Sequence, residues 1–366
     1  MASWNIRRYR DGDKEAIVEL LRIVFGKGYT REYWNWKYRE NPGGPSMVWL
    51  AEHDGKIVGH YGIIPVPMKL GNSYIKGSFS TDAATHPLYR GQGVFSALVN
   101  RAYLDVAGSQ VPLTYGLPRV EMGPIYKRYE WAGHICFMRY MVKILNWNAA
   151  LGRYIDNELV TGTISSVLGK MRRPMSPPDG SVEIEEISRF DGRIDRFWAD
   201  ASRCFTVIVR RDQTRLNWRY ADHPQDKYTI YTAVKGDRIL GYCVLKIGPG
   251  KGRGKQENLR VGFIVDIIGI GQDIVGCLVR WAANWFEKHN VDVVACMMSE
   301  GHPYPRAFRS AGFVTYPCRN VALKATVNLP GTSIDERQTY SQALVLSQNY
   351  FLRDKRNWFV ISGDGA

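Results

Sequence analysis

Between Asn5 and Leu145 the period of the apolar positions changes several times, and each change predicts an element. Asn5 to Tyr9 reads as a short strand. Ala16, Ile17, Leu20, Leu21 and Val24 then recur at helical spacing behind Asp11 and Asp13, either of which can cap the helix. An aromatic helix follows over 31–39. The stretches 47–53, 56–70 and 74–85 are rich in β-branched and aromatic residues and are separated by turns at Asp54-Gly55 and Gly71-Asn72, which predicts an antiparallel meander. After residue 85 the order changes to a loop at 88–93, a helix at 95–107, a strand at 111–117, a helix at 123–129 and a last strand at 135–145. Such an order predicts a mixed sheet with a crossover helix after its fourth strand.

The same pattern returns further along the chain. Trp36-Lys37-Tyr38-Arg39-Glu40-Asn41-Pro42 matches Trp218-Arg219-Tyr220-Ala221-Asp222-His223-Pro224, and Gly55-Lys56-Ile57-Val58-Gly59 matches Asp237-Arg238-Ile239-Leu240-Gly241, both 182 residues apart. Ala97–Ala102 resembles Cys277–Ala282 at an offset of 180, and Glu130-Trp131 resembles Gly312-Phe313 at 182. A fixed offset across four segments marks a duplication. The expectation is therefore an α+β chain of two tandem units, each a mixed, mostly antiparallel sheet flanked by helices. We place them at 1–145 and 182–325. Residues 146–181 form a linker containing Pro174, Pro177, Pro178 and Gly180, and 326–366 form an extension packed on the two units.

Composition narrows the function classes. With 366 residues, 45% of them hydrophobic, each half can bury a core of its own. Six scattered cysteines without a C-x-x-C pair signal neither a disulfide framework nor a thiolate metal site, so no metal is expected. That usage suits a reducing cytoplasm. The N-terminal residues lack a signal-peptide apolar stretch, and no apolar run is long enough for a membrane span, so a soluble protein is expected. The formal net charge of +14 can attract nucleic acid, an anionic membrane or a nucleotide cofactor. Its two clusters, 169–174 and 251–255, sit among Gly and Pro with no interleaved stacking aromatics, so they read as loop charges and nucleic acid is not expected as a partner.

Chemistry concentrates in His86-Pro87-Leu88-Tyr89-Arg90-Gly91-Gln92-Gly93-Val94-Phe95-Ser96, between a predicted strand and a predicted helix. Glycines there let backbone N–H groups converge, and the helix start adds a positive end, which together suit a pyrophosphate. This loop resembles the Arg/Gln-x-x-Gly-x-Gly/Ala motif of the GCN5-related N-acetyltransferase (GNAT) superfamily, with Arg90, Gly93 and Phe95 on its three defined positions. Ile125-Tyr126-Lys127-Arg128-Tyr129-Glu130-Trp131 is similar to that superfamily's Tyr-x-x-x-Gly-Phe segment, with Glu130 and Trp131 in place of Gly-Phe. The resemblance implies acetyl-CoA as co-substrate. It places Arg90, Gly91, Gln92, Gly93, Val94, Phe95 and Ser96 on the pyrophosphate and the backbone of Ala83, Ala84 and Thr85 along the pantetheine, one amide serving as oxyanion donor. Tyr126 is implied as the acid that protonates the leaving thiolate and Asp82 as the base, with His86 and Glu121 as the other candidates for a base.

In the second unit no arginine stands at the place matching Arg90, Asp273 would repel a phosphate, and Phe308 stands where Tyr126 would fall. Tandem GNAT proteins with one working and one degenerate copy form a known class. The expected activity is acetyl transfer to a primary amine of a small molecule, amino-sugar or aminoglycoside-like, by direct attack in a ternary complex. Transfer of a longer acyl chain, a protein-amine acceptor, or a non-catalytic CoA- or nucleic-acid-binding module are the alternatives. The recurrence of Trp36-Lys37-Tyr38 in both copies argues that this aromatic group is structural, and Asp364 near the end of the sequence is a further candidate contributor to the site.

Overall fold

The computed structural model describes residues 4–26, 28–107, 109, 111–118, 133–147, 149, 182–249, 259–327 and 354–364. In the first half β1 (Asn5–Arg8) leads into α1 (Lys14–Phe25) and α2 (Arg31–Tyr38). Asp13 stands at the N-cap of α1, but its carboxylate accepts from Arg7 and from the Arg10 N–H instead of capping the first turn. Thr30 does cap α2, accepting from the Tyr33 N–H at 3.1 Å. The meander follows as β2 (Met47–His53), β3 (Lys56–Leu70) and β4 (Ser73–Thr85). Next come α3 (Val94–Ala107), β5 (Leu113–Gly116), parallel to β4, and β6 (Gly133–Ile144). The helix expected at 123–129 lies outside the described residues.

The second half repeats this order. It runs β7 (Glu183–Ile187), α4 (Arg193–Ala201), β8 (Val207–Val209) and α5 (Gln213–Leu216), whose last turns widen into a π-helix at Asn217–Ala221. Then follow β9 (Thr229–Lys235), β10 (Arg238–Pro249), β11 (Arg260–Gly269), α6 (Gln272–Lys288), β12 (Val293–Ser299), α7 (Pro305–Ser310) and β13 (Val314–Val327). Short β14 (Trp358–Phe359) belongs to the C-terminal segment.

The two halves share one sheet by exchanging strands. Its order is β1-β2-β3-β4-β5-β13-β6-β12-β11-β10-β9-β7. Strand β13 of the second half pairs antiparallel with β5 of the first, while β6 of the first pairs antiparallel with β12 of the second. Strands β6 and β13 themselves run antiparallel side by side from Val314↔Val142 to Ala325↔Gly133. Each half thus completes the other's ladder, which ties the halves together by backbone hydrogen bonds.

The repeated aromatic motif meets itself at the contact between the halves. The indoles of Trp36 and Trp218 stack with centroids 4.5 Å apart and 12° between planes. Each donates its Nε1–H to the other's backbone carbonyl, at 2.7 and 3.0 Å. Two equal segments facing each other across an approximate two-fold axis produce this reciprocity.

Packing of the helices fixes the place of the candidate site. On one face of the first half α3 buries Val94, Leu98, Val99 and Ala102 against Trp49, Val58 and Ile63; on the other, α1 and α2 bury Ile17, Leu20, Leu21 and Trp34 against Ile64 and Val66. The start of α3 lies so close to β3 that a Cβ on Gly59 would stand 2.7 Å from Val94 Cγ1 and 2.8 Å from Leu98 Cδ1. Gly241 plays the same part under Ile274 in α6. The C-terminal segment crosses between the halves: β14 pairs with β8, which pairs with β3, and Ile361 bridges to Met298 of β12.

Candidate functional site

Strands β4 and β5 part company in the middle of the molecule. They pair only from Gly77↔Leu113 to Phe79↔Tyr115, so beyond Phe79 strand β4 keeps only β3 as a neighbour among the described residues. Within that free stretch the register against β3 jumps from His60↔Ala84 to Gly62↔Thr81, leaving Asp82 and Ala83 opposite Tyr61 alone. This is a β-bulge, and Asp82 takes the left-handed φ of +50° inside it. The Asp82 carbonyl can only accept, so His60 Nδ1 carries the proton in their 2.8 Å hydrogen bond. Burial also pushes the His60 pKa down, keeping the ring neutral. Across a planar trans peptide the next N–H, that of Ala83, points the opposite way, away from the His60 ring. Ala83 itself is exposed.

The carboxylate of Asp82 holds this bulge to α2. It accepts from Tyr29 Oη at 2.6 Å, Tyr38 Oη at 2.8 Å, Lys37 Nζ at 3.1 Å and Thr81 Oγ1 at 3.2 Å. Burial alone would raise its pKa, but the Lys37 charge and the two tyrosine hydroxyls outweigh it and hold the group below the usual carboxylate value. An anion so stabilised, with its lone pairs filled, is a poor proton acceptor. These contacts make Asp82 the anchor of the bulge. Its counterpart in the second half, Asp266, is anchored alike, by Tyr220 Oη at 3.0 Å, Tyr242 Oη at 2.9 Å and Arg211.

From Thr85 the chain turns through the glycine-rich loop. His86 accepts the Leu88 N–H on Nδ1, and Pro87–Tyr89 makes a single 3₁₀ turn. Gly91 and Gly93 have φ of +75° and +84° with open space around each Cα, so the loop needs glycine for its backbone and nothing crowds its outer side. Arg90 is exposed, with Nε 3.4 Å from the Thr85 carbonyl. The 14-residue helix α3 begins directly afterwards, and its leading N–H groups have no carbonyl a turn earlier to bind. Phe95 turns its ring edge-on to Tyr61, 6.5 Å away, so this large side chain packs on the sheet and stays out of the loop. Ala83 and Thr85 end β4, and Arg90, Gly91, Gln92, Gly93 and Ser96 follow through the loop into α3. Ala84 and Val94 have buried side chains and offer only backbone. Tyr126 and Glu121 lie outside the described residues.

The second half lacks both features. Gly269 pairs with Gly241 as Thr85 pairs with Gly59, and Ile274 covers Gly241 as Val94 covers Gly59, so the intervening loop is four residues shorter. Asp273 stands in the first turn of α6. The opening between β11 and β12, which pair only from Val261↔Val293 to Phe263↔Ala295, receives the C-terminal segment. Ser299 N–H donates to the Val360 carbonyl, Gly363 lies against Val265 and Tyr220, and the buried Asp364 carboxylate accepts from Arg211 Nη2 at 2.8 and 3.0 Å. Asp364, considered above as a site contributor, is consumed by that ion pair, while its carbonyl accepts from Tyr115 Oη at 2.8 Å. Phe308 is fully buried in α7.

Three groups of importance escaped the sequence reading: His60, which orients the bulge, Arg211, which binds both Asp266 and Asp364, and Tyr29. A signal existed for the Asp82 anchor, since Asp266 repeats it.

Residues 5–133 match the family model of the acetyltransferase (GNAT) domain. No curated protein sequence matches the chain significantly. Among solved structures the chain is similar to an Enterococcus faecalis protein described as a probable N-acyltransferase, at 14% identity and a TM-score of 0.61 over 89% of this chain and 73% of that one. A GCN5-related N-acetyltransferase from Anabaena variabilis gives 12% identity and a TM-score of 0.61 over the same shares. Saccharomyces cerevisiae N-myristoyltransferase with bound myristoyl-CoA gives 14% and 0.59 over 90% of this chain and 80% of that one.

Proposed function

We propose that this chain, which belongs to the GNAT superfamily through residues 5–133, is an acyl-CoA-dependent N-acyltransferase whose first half holds the acyl-CoA and whose second half walls the acceptor. The observation that carries the reading is an asymmetry within a symmetric frame: the first half keeps the bulge, the opening and the glycine loop together, whereas in the second the loop is shortened and the opening filled.

The donor supplies a thioester whose carbonyl carbon an amine attacks and whose sulfur leaves with the electron pair. Backbone amides from Gly91 to Ser96, the start of α3 and the Arg90 guanidinium suit the pyrophosphate. Ala83, Ala84 and Thr85 would run along the pantetheine, and the Ala83 N–H, which points away from the His60 ring, would stabilise an oxyanion. Asp82 works at one remove by fixing the bulge. Tyr126 is the acid that gives a proton to the departing sulfur. Acetyl is the donor group we favour and a primary amine of a small molecule, amino-sugar or aminoglycoside-like, the acceptor. A longer acyl chain is the second reading, favoured by the likeness of nearly the whole chain to an N-myristoyltransferase.

Thiol release measured with acetyl- to myristoyl-CoA against a panel of amines tests this directly. Amine-dependent release supports the reading; acyl-CoA binding without release from any donor rejects catalysis. In the same assay Tyr126→Phe is expected to lower the maximal rate about 100-fold with acyl-CoA affinity unchanged. An undiminished rate removes Tyr126 from the role of acid.

A further inference from the structure

Arg211 just before α5, Arg215 within it and Arg219 in the π-helical turn that follows are spaced four residues apart, and all three are buried. Two of the three are engaged. Arg211 binds Asp266, Asp364 and the Val209 carbonyl, and Arg219 donates Nε–H to the Gly363 carbonyl at 3.1 Å. Arg215 differs. Its side chain is 95% buried, its guanidinium lies over the Trp218 ring at 4.7 Å, and its Nη1 is interior with no hydrogen-bond acceptor. Burial and the neighbouring Arg219 both weaken its hold on a proton, yet a guanidinium stays charged, so a buried cation is left with no hydrogen-bond acceptor at Nη1. The groups that act on it are Tyr115, Arg219, Asp364 and Tyr220. Tyr115 is the β5 residue at which the first half's opening begins.

The geometry points to Arg215 as the recognition group for a carboxylate on the amine acceptor, making the substrate an amine that also carries a carboxylic acid. This rests on the acyltransferase reading above for the fate of the amine, but the anion site stands on the guanidinium itself. The unpartnered guanidinium of Arg215 carries a single positive charge, which a monoanionic carboxylate balances and a phosphate dianion exceeds. The planar guanidinium with free N–H groups matches a carboxylate in shape as well.

The test pairs binding with stability. Wild type, Arg215→Met and Arg215→Lys, each with CoA present, are titrated with a series of N-acetylated amino acids of increasing chain length, with the matching amides, and with inorganic phosphate. At least one acid is expected to bind wild type about 100-fold more tightly than its amide. Arg215→Met should lose that preference and melt no lower than wild type, since it removes an unpaired buried charge, whereas Arg215→Lys should keep part of the preference. Acid–amide discrimination without any acyl-CoA turnover would count against the acyltransferase reading and leave the anion site standing. The inference is overturned by equal binding of acids and amides throughout, by a preference that survives Arg215→Met, by phosphate outcompeting the acids, or by a clear fall in the melting temperature of Arg215→Met.

Discussion

Replacing Asp82 by alanine is expected to lower the stability of the fold by about 3–5 kcal/mol and to abolish turnover. Lys37 is 1% exposed and forms a salt bridge with the Asp82 carboxylate, so the substitution removes one half of a buried ion pair. The hydroxyls of Tyr29 and Tyr38 lose their acceptor in the same step. Without these ties only the His60 hydrogen bond to the backbone carbonyl is left to hold a non-glycine residue at φ +50°, and the bulge relaxes. Chemical denaturation reads the first effect and thiol release the second. The sign of the pH dependence follows from the lowered carboxylate pKa. Stabilisation by Asp82 is fully present above its unfolded value of about 3.8 and disappears as pH falls through the lower folded value, so wild type and Asp82→Ala should converge in stability only in strong acid. A gap that closes near neutral pH would contradict the ion-pair account.

Deletion of residues 354–366 should have a still larger effect and leave no soluble folded protein. Trp358, Phe359, Val360 and Ile361 are all buried, and at roughly 1.5–3 kcal/mol for each buried side chain their loss approaches the whole stability of an ordinary domain. Arg211 would also lose Asp364, one of its two carboxylate partners. A milder version isolates the fit of the tail. At Gly363 a Cβ would overlap Tyr220 Oη and stand 3.1 Å from the Val265 carbonyl, so Gly363→Val should lower the melting temperature by several degrees. A truncated chain that folds and melts normally would show that the segment is dispensable.

Much of this architecture was legible in the sequence because it rests on local periodicity. The predicted strands at 47–53 and 56–70 match β2 and β3, and the change of order after residue 85 appears as the parallel β4–β5 pair joined by α3. The 182-residue offset gave more than a count of units: Trp36 and Trp218, picked out as structural because they recur, hydrogen-bond to each other. The exchange of β6 and β13 was not legible, since each strand looks the same from its own sequence whichever ladder it joins, and only the distant partners decide. Nor could the sequence show how Asp82 is used. Its carboxylate is surrounded by Tyr29, Lys37 and Tyr38, which come from 44–53 residues away in the chain. The tail was opaque for a similar reason: the opening it fills is made by strands far from it in the chain.

The central claim is that one half of a duplicated frame holds acyl-CoA and the other does not. Isothermal titration of the full chain with acetyl-CoA, and with myristoyl-CoA, measures it most directly, in wild type and in Arg90→Glu. The account predicts one site per chain, weakened about 100-fold by a charge reversal beside the pyrophosphate. Two sites per chain, or a single site whose affinity Arg90→Glu leaves unchanged, would contradict it.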